Sequence, residues 1–222
     1  MAVAVISALS VTASGTSSTT ITVPANTDAI AILSSYWTSG GGTYTSIGVD
    51  AIDATDRLNV APVGSAPGHY IGTIQPYTGS TGSVTLDWVM PSATEGGAIV
   101  VVFGSGCGAY NDHDGSAWTL NASTTATVNS NTTDMVVGIG TTYPGGSYSG
   151  GPATTDTIIS SLDNINHNLV YIDAVSVASP GASTTGITSG GYYGAVLAVS
   201  FLEAAAAGGI APHMATYYRM RT

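Results

Sequence analysis

The chain is poor in charge and contains no lysine. Charged residues make up 7% of its 222 positions, against roughly 25% in ordinary globular domains. The three basic residues are Arg57, Arg219 and Arg221, set against 13 acids for a formal charge of -10. Without a basic cluster nothing can neutralise phosphates and release their counterions, which excludes nucleic acid as a partner. Cysteine is reduced to Cys107, so there is no internal disulfide framework, and that residue reads as a small buried hydrophobe. No apolar run approaches the ~18 residues of a membrane span, and no membrane partner is expected. The opening Met1–Ser10 lacks the basic region of a signal peptide, so the chain is expected to be made and used without secretion. No stretch of ten residues carries a 3.6-residue period, which leaves no long helix to predict.

What is present is β-structure. Hydrophobic residues reach 44%, in short runs separated by Gly, Ser, Thr, Asn and Pro. Tyr192–Leu202, Gly97–Phe103 and Thr27–Trp37 read as core strands. Val3–Thr12, Thr19–Val23, Tyr44–Ile52, Arg57–Val63, His69–Ile74 and Ser83–Met90 supply the other strands of the first half. Thr124–Val128, Met135–Ile139, Thr157–Ser160 and Leu169–Val177 follow. Ala109–Asn121, Thr142–Thr155 and Ala178–Gly190 read as irregular segments, and Ser160–Asn168 has room for one helical turn. Even spacing of short strands predicts an all-β fold, a jelly-roll-like antiparallel β-sandwich. One domain is expected over residues 1–202, followed by an extended C-terminal arm over 203–222.

Chemistry-bearing motifs are few. Asn111-Asp112-His113-Asp114-Gly115-Ser116 is the nearest thing to a metal loop, since alternating oxygen ligands before a glycine can wrap a hard cation. It lacks the downstream bidentate glutamate, and Asp-x-Asp-Gly is also turn sequence. The prediction is no metal and no cofactor, with Asp112 and Asp114 the candidates if a cation binds. Asp50, Asp53 and Asp56, spaced by three, read as a solvated turn or a cation site shared between subunits. His69, His113, His167 and His213 have no ligand spacing. No nucleophile elbow, phosphate loop or dinucleotide fingerprint occurs, and the chain is read as not an enzyme. Tyr77, Tyr110, Trp118, Tyr143 and Tyr148 fall in or beside the long loops. There they suit a subunit interface or stacking on sugar rings, or they fold down to cap the sandwich.

Three segments carry a resemblance: Thr20-Ile21-Thr22-Val23-Pro24-Ala25-Asn26-Thr27-Asp28, the strand ending Trp88-Val89-Met90-Pro91, and the closing Ala195-Val196-Leu197-Ala198-Val199-Ser200-Phe201. Over roughly residues 1–202 the chain resembles virion structural proteins of tailed bacteriophages, in particular jelly-roll proteins that decorate capsids or build head and tail appendages. The resemblance implies a β-sandwich, self-assembly, a place in the virion and no catalysis, and it transfers no functional residue. The expected partners are other copies of the chain and a major capsid or other virion protein. The arm would supply the grip, with Tyr217, Tyr218 and Met220 as apolar anchors and Arg219 and Arg221 facing acidic surface on a neighbour. Two alternatives stand beside this reading: a lectin-like module that binds glycans through the loop aromatics, and a subunit of an extracellular filament joined by strand exchange.

Overall fold

A computed structural model describes residues 3–13, 15–38, 41–64, 66–90, 96–119, 124–130, 134–143, 148–149, 156–160, 170–175, 181–189 and 193–205. Among them there is no helix. The first half holds β1 (Ala4–Ala13), β2 (Ser17–Val23), β3 (Ala29–Trp37), β4 (Ser46–Val49), β5 (Ile52–Asp53), β6 (Thr55–Val60), β7 (Gly68–Ile74), β8 (Gly82–Val89) and β9 (Gly96–Ser105). The second half holds β10 (Cys107–Thr119), β11 (Thr124–Ser130), β12 (Met135–Tyr143), β13 (Tyr148–Ser149), β14 (Asp156–Ser160), β15 (Val170–Val175), β16 (Gly181–Ser189) and β17 (Tyr193–Glu203). Two expectations are corrected here. The segment from Ala109 is strand β10, and most of Ala178–Gly190 is strand β16. The region expected to hold a helical turn lies outside the described residues beyond Ser160.

These strands form four sheets, with orders β1-β9-β3-β7-β6, β2-β8-β4-β5, β10-β17-β12-β15-β14 and β11-β16-β13. Pairing in the first half is nested: β1 with β9, β2 with β8, β3 with β7, β4 with β5. The second half repeats the plan, with β10 on β17, β11 on β16 and β12 on β15. The inner sheets match strand for strand when β1, β9, β3, β7 and β6 are set against β10, β17, β12, β15 and β14.

Sequence and hydrogen bonding follow the same duplication. Thr19-Thr20-Ile21-Thr22-Val23 corresponds to Thr124-Thr125-Ala126-Thr127-Val128, and Asp28 to Asp134. The residue after each aspartate opens the third strand of its half, with Ala29 opposite Gly104 and Met135 opposite Phe201. Each aspartate also ties down the closing strand of its half. Asp28 Oδ2 accepts from Gly106 N at 2.6 Å, and Asp134 Oδ1 from Glu203 N at 3.2 Å. The described strands thus form two sandwiches built on one plan.

The two inner sheets pack face to face. Each is covered on both sides, so its central strands are buried on both faces and carry long apolar runs rather than an alternation. Ile30, Ile32 and Tyr36 of β3 and Ile99, Val101 and Phe103 of β9 face the first sandwich core. Ala29, Ala31, Leu33, Val100 and Val102 face the seam between the sandwiches, where they meet Met135, Val137, Ile139, Leu197, Val199 and Phe201. Across the seam β6 and β7 lie on β10, β3 on β12, and β1 on β14 and β15. The strands that correspond across the seam, β3 with β12, β6 with β10 and β1 with β14, share one direction, since the start of β12 lies by Gly104, the partner of the start of β3. Met135 sits by Gly104, where an added Cβ would come within 2.8 Å of its side chain, and Leu58 covers Gly115 and Leu197. Reversed strand order with parallel course is the relation of an approximate two-fold axis lying in the seam along the strands.

Candidate functional site

Asp112 and Asp114 lie on β10, the edge of the second inner sheet, and not in a cation-binding loop. Residues two apart on a strand point to the same side, and here they point at β11, the edge of the outer sheet. Asp114 Oδ2 accepts from Thr127 N at 2.7 Å, and Asp112 Oδ2 from Asn129 N at 2.8 Å and Asn129 Nδ2 at 2.9 Å. Their other oxygens accept from Gly115 N at 2.8 Å and His113 N at 2.9 Å. The Asn129 carbonyl accepts from Asn111 Nδ2 at 2.6 Å and Ser200 Oγ at 2.8 Å. The polar run that resembles a metal loop thus fastens one sheet edge to another. Among the described residues no three His, Cys, Asp or Glu side chains converge as metal ligands. Asp50 and Asp56 are also engaged, Asp50 Oδ2 with Ser80 N at 2.6 Å and Asp56 Oδ1 with the Tyr70 hydroxyl at 2.7 Å.

The five aromatic candidates separate. Tyr77 is 8% exposed, packs into the first core and donates its hydroxyl to Ser80 O at 2.7 Å, so it caps the sandwich and offers no face to a sugar. Tyr110 is half-buried beside the seam. The Arg57 guanidinium carbon lies 3.8 Å from its ring centroid, a cation–π contact. Arg57 Nε donates to Thr73 Oγ1 at 2.9 Å, and the Tyr110 hydroxyl bonds His113 Nδ1. This chain of contacts joins β6 and β7 to β10 across the two sandwiches. Trp118, Tyr143 and Tyr148 are in strands, opposite Gly194, Tyr193 and Ser189, and their side chains lie outside what is described. Tyr217, Tyr218, Arg219, Met220 and Arg221 lie outside the described residues, which run to Ala205. The chain leaves the fold where Ala204 N donates to Gly106 O at 2.7 Å.

Two buried titratable groups, Cys107 and His69, lie at the seam. Cys107 is buried against Met135, Sγ to Sδ 3.8 Å, and burial, then the charge of Asp28, pushes its thiol up to about 12. His69 is 6% exposed and shares the seam-facing side of β7 with Ile71, opposite Ser35 on β3. Its Nδ1, the Ser35 hydroxyl and the Thr141 hydroxyl have no protein partner. Burial lowers the His69 pKa against a smaller opposing effect of the Pro67 carbonyl. The unfolded chain therefore binds a proton at a pH where the folded chain does not. Stability from this site is complete above the ordinary histidine value of about 6.5 and is lost as pH falls below it. Urea titrations at pH 7 and pH 5 should show a loss at pH 5 that shrinks in His69→Gln. An equal acid loss in both proteins would remove His69 as its source.

The β2 edge of the outer sheet has no strand partner among the described residues beyond β8. Asp50 N bonds Thr85 O and Thr45 N bonds Val89 O, so alternate residues of β8 turn their backbone groups toward β4. Thr85 and Asp87, and by the same alternation Ser83, therefore form non-bonded pairs with their partners Thr20, Ser18 and Thr22 on β2. The N–H groups of Ser18, Thr20 and Thr22 point out of the sheet, and no described residue accepts them. β11 occupies the same place in the second sandwich, and there Asp114 accepts from Thr127 N, the counterpart of Thr22 N, while Asp112 accepts from Asn129 N, at the position Pro24 holds after β2. The residues in register with these aspartates on β1, Ser7 and Leu9, carry no carboxylate. No family model, curated protein or solved structure matches the chain.

Proposed function

We propose that the chain is a non-enzymatic structural subunit of a virus particle, a capsid-decoration or appendage protein that associates with copies of itself and docks on another virion protein. The observation that carries this reading is the duplicated, nested antiparallel sandwich, with one edge tied by side chains and the equivalent edge without a partner among the described residues. Double-sheet β folds serve as capsid and lectin domains, and an open edge accepts a further strand. A nearly uncharged Ser/Thr surface favours packing on like surface over dispersal in solution. The glycan-binding alternative draws no support from Tyr77, which is buried, or from Tyr110, whose ring is covered by Arg57.

Deletion of residues 208–222 tests the reading. Light scattering should report a fall from an oligomer to a species near the 22.1 kDa of one chain, with the far-UV circular dichroism of the sandwiches retained. An unchanged particle size would refute assembly through the arm. Electron microscopy of the intact protein separates a closed oligomer from a filament.

A further inference from the structure

We infer that the free edge of β2 is the acceptor for the 206–222 segment of a second copy, which adds to the outer sheet as an extra strand. The inference rests on the assembly reading above and names the surface the arm grips. The first reason is the contrast between the halves. Natural sheets blunt exposed edges with charge, proline, bulges or a covering element, and the second sandwich does so with Asp112 and Asp114. β2, Ser17–Val23, carries no charge, no proline and no register shift against β8, so three donors at alternate residues are presented to whatever arrives.

The second reason is the length and composition of the segment. Residues 206–213 are Ala, Gly, Ile, Pro and His, a poor strand former with a proline near its end. Strand-prone residues resume at Met214 and run through Thr216, Tyr217, Tyr218 and Met220. The eight intervening residues span ~26 Å when extended, more than the ~23 Å of seven-residue β2. The departure point, Ala204 on Gly106, is tied through Asp28 to the Val23 end of β2. Extended, the spacer is long enough for the strand-forming part to pass its own β2 and meet a neighbour.

The third reason is charge. Asp87 lies opposite Ser18 and, across Gly48, in one row with Asp53 on the outer face. A strand added beside β2 would lie about 10 Å from that row, within reach of Arg219 or Arg221, two of the three basic residues in the chain.

Hydrogen exchange and light scattering on the full-length protein decide the matter. In concentrated samples the Ser18, Thr20 and Thr22 amides should exchange slowly. On dilution they should lose that protection together with the fall in mass, while the Thr19 and Ile21 amides stay protected throughout. Thr20→Pro removes a free donor without breaking a bond to β8 and should shift the assembly midpoint to at least tenfold higher concentration, as should Tyr218→Pro. Should Thr20→Pro unfold the sandwich, the exchange data on the unaltered chain still decide. If the edge amides stay protected in a dilute monomer, the chain's own segment covers the edge and the inference falls. Weakening by Thr20→Pro but not by Tyr218→Pro would make another strand the occupant, again overturning it. If the 208–222 deletion dissociates the particle while Thr20→Pro does not, the β2 site is wrong and the arm reading survives. If the deletion has no effect on mass, the arm reading itself fails.

Discussion

Phe201→Ala should lower stability by about 3–5 kcal/mol, the usual cost of emptying a core site of phenylalanine size, and should do so without splitting the unfolding transition. Phe201 is fully buried on β17, opposite Met135 on one side and Tyr110 on the other. It faces the seam, whose apolar residues come in comparable number from both sandwiches. Its loss removes packing from the first sandwich as much as from the second. Trp88 belongs to the first core, on the far side of the first inner sheet, and with Trp37 and Trp118 replaced by Phe it is the sole emitter and reports on that sandwich alone. Its fluorescence and the far-UV circular dichroism should move together at a lowered urea midpoint. An early dichroism change that leaves Trp88 emission in place would show that the sandwiches unfold independently and that the seam does not couple them.

Gly97→Ala should cost about 3 kcal/mol, the upper range for overpacking a dense core. Gly97 lies in β9 between Ala13 and Tyr36. A Cβ there would stand 2.6 Å from Tyr36 Cβ and 2.8 Å from Ser35 O. These are atoms of a central strand that cannot swing aside, so relief requires separating β3 from β9 at the point where both cores meet. Gly64→Ala is the useful contrast. It has open space around it but a φ of +59°, so it bears only the ~1–2 kcal/mol of a left-handed L-residue. Thermal melts should rank the two in that order, and equal midpoints would mean that β9 has room that its geometry denies.

The central strands were legible in the sequence for a physical reason. β3, β9 and β17 are buried on both faces, so their apolar runs are continuous and need no partner to be recognised. β10 was not legible. Asn111, Asp112, His113 and Asp114 serve neighbouring backbone groups and an aromatic ring, so the alternation that marks a half-buried strand is written in polar residues. β16 was hidden for a different reason, because Gly181–Ser189 is nearly all Gly, Ala, Ser and Thr and looks like loop sequence. The duplication is present in the Thr-Thr-x-Thr-Val segments, but the second copy carries one more residue before its aspartate, and the strands around it have diverged. Tyr77 was open between exposure and capping, since only a hydroxyl acceptor such as Ser80 O decides, and sequence spacing does not supply it. The open edge of β2 could not be seen at all. It depends on which residues of β8 turn toward β4, a matter of register.

The duplication has a consequence for the direction of assembly. Two identical sandwiches joined by a true two-fold would have to present the same edge on both sides, each open or each closed. Fusing the two copies into one chain released them from that equality. The first copy kept an open edge, the second acquired the aspartates that seal its own, and the segment leaving β17 exists once per chain. A subunit of this kind has a front and a back, so the assembly proposed above would carry an arrow that a symmetric dimer cannot.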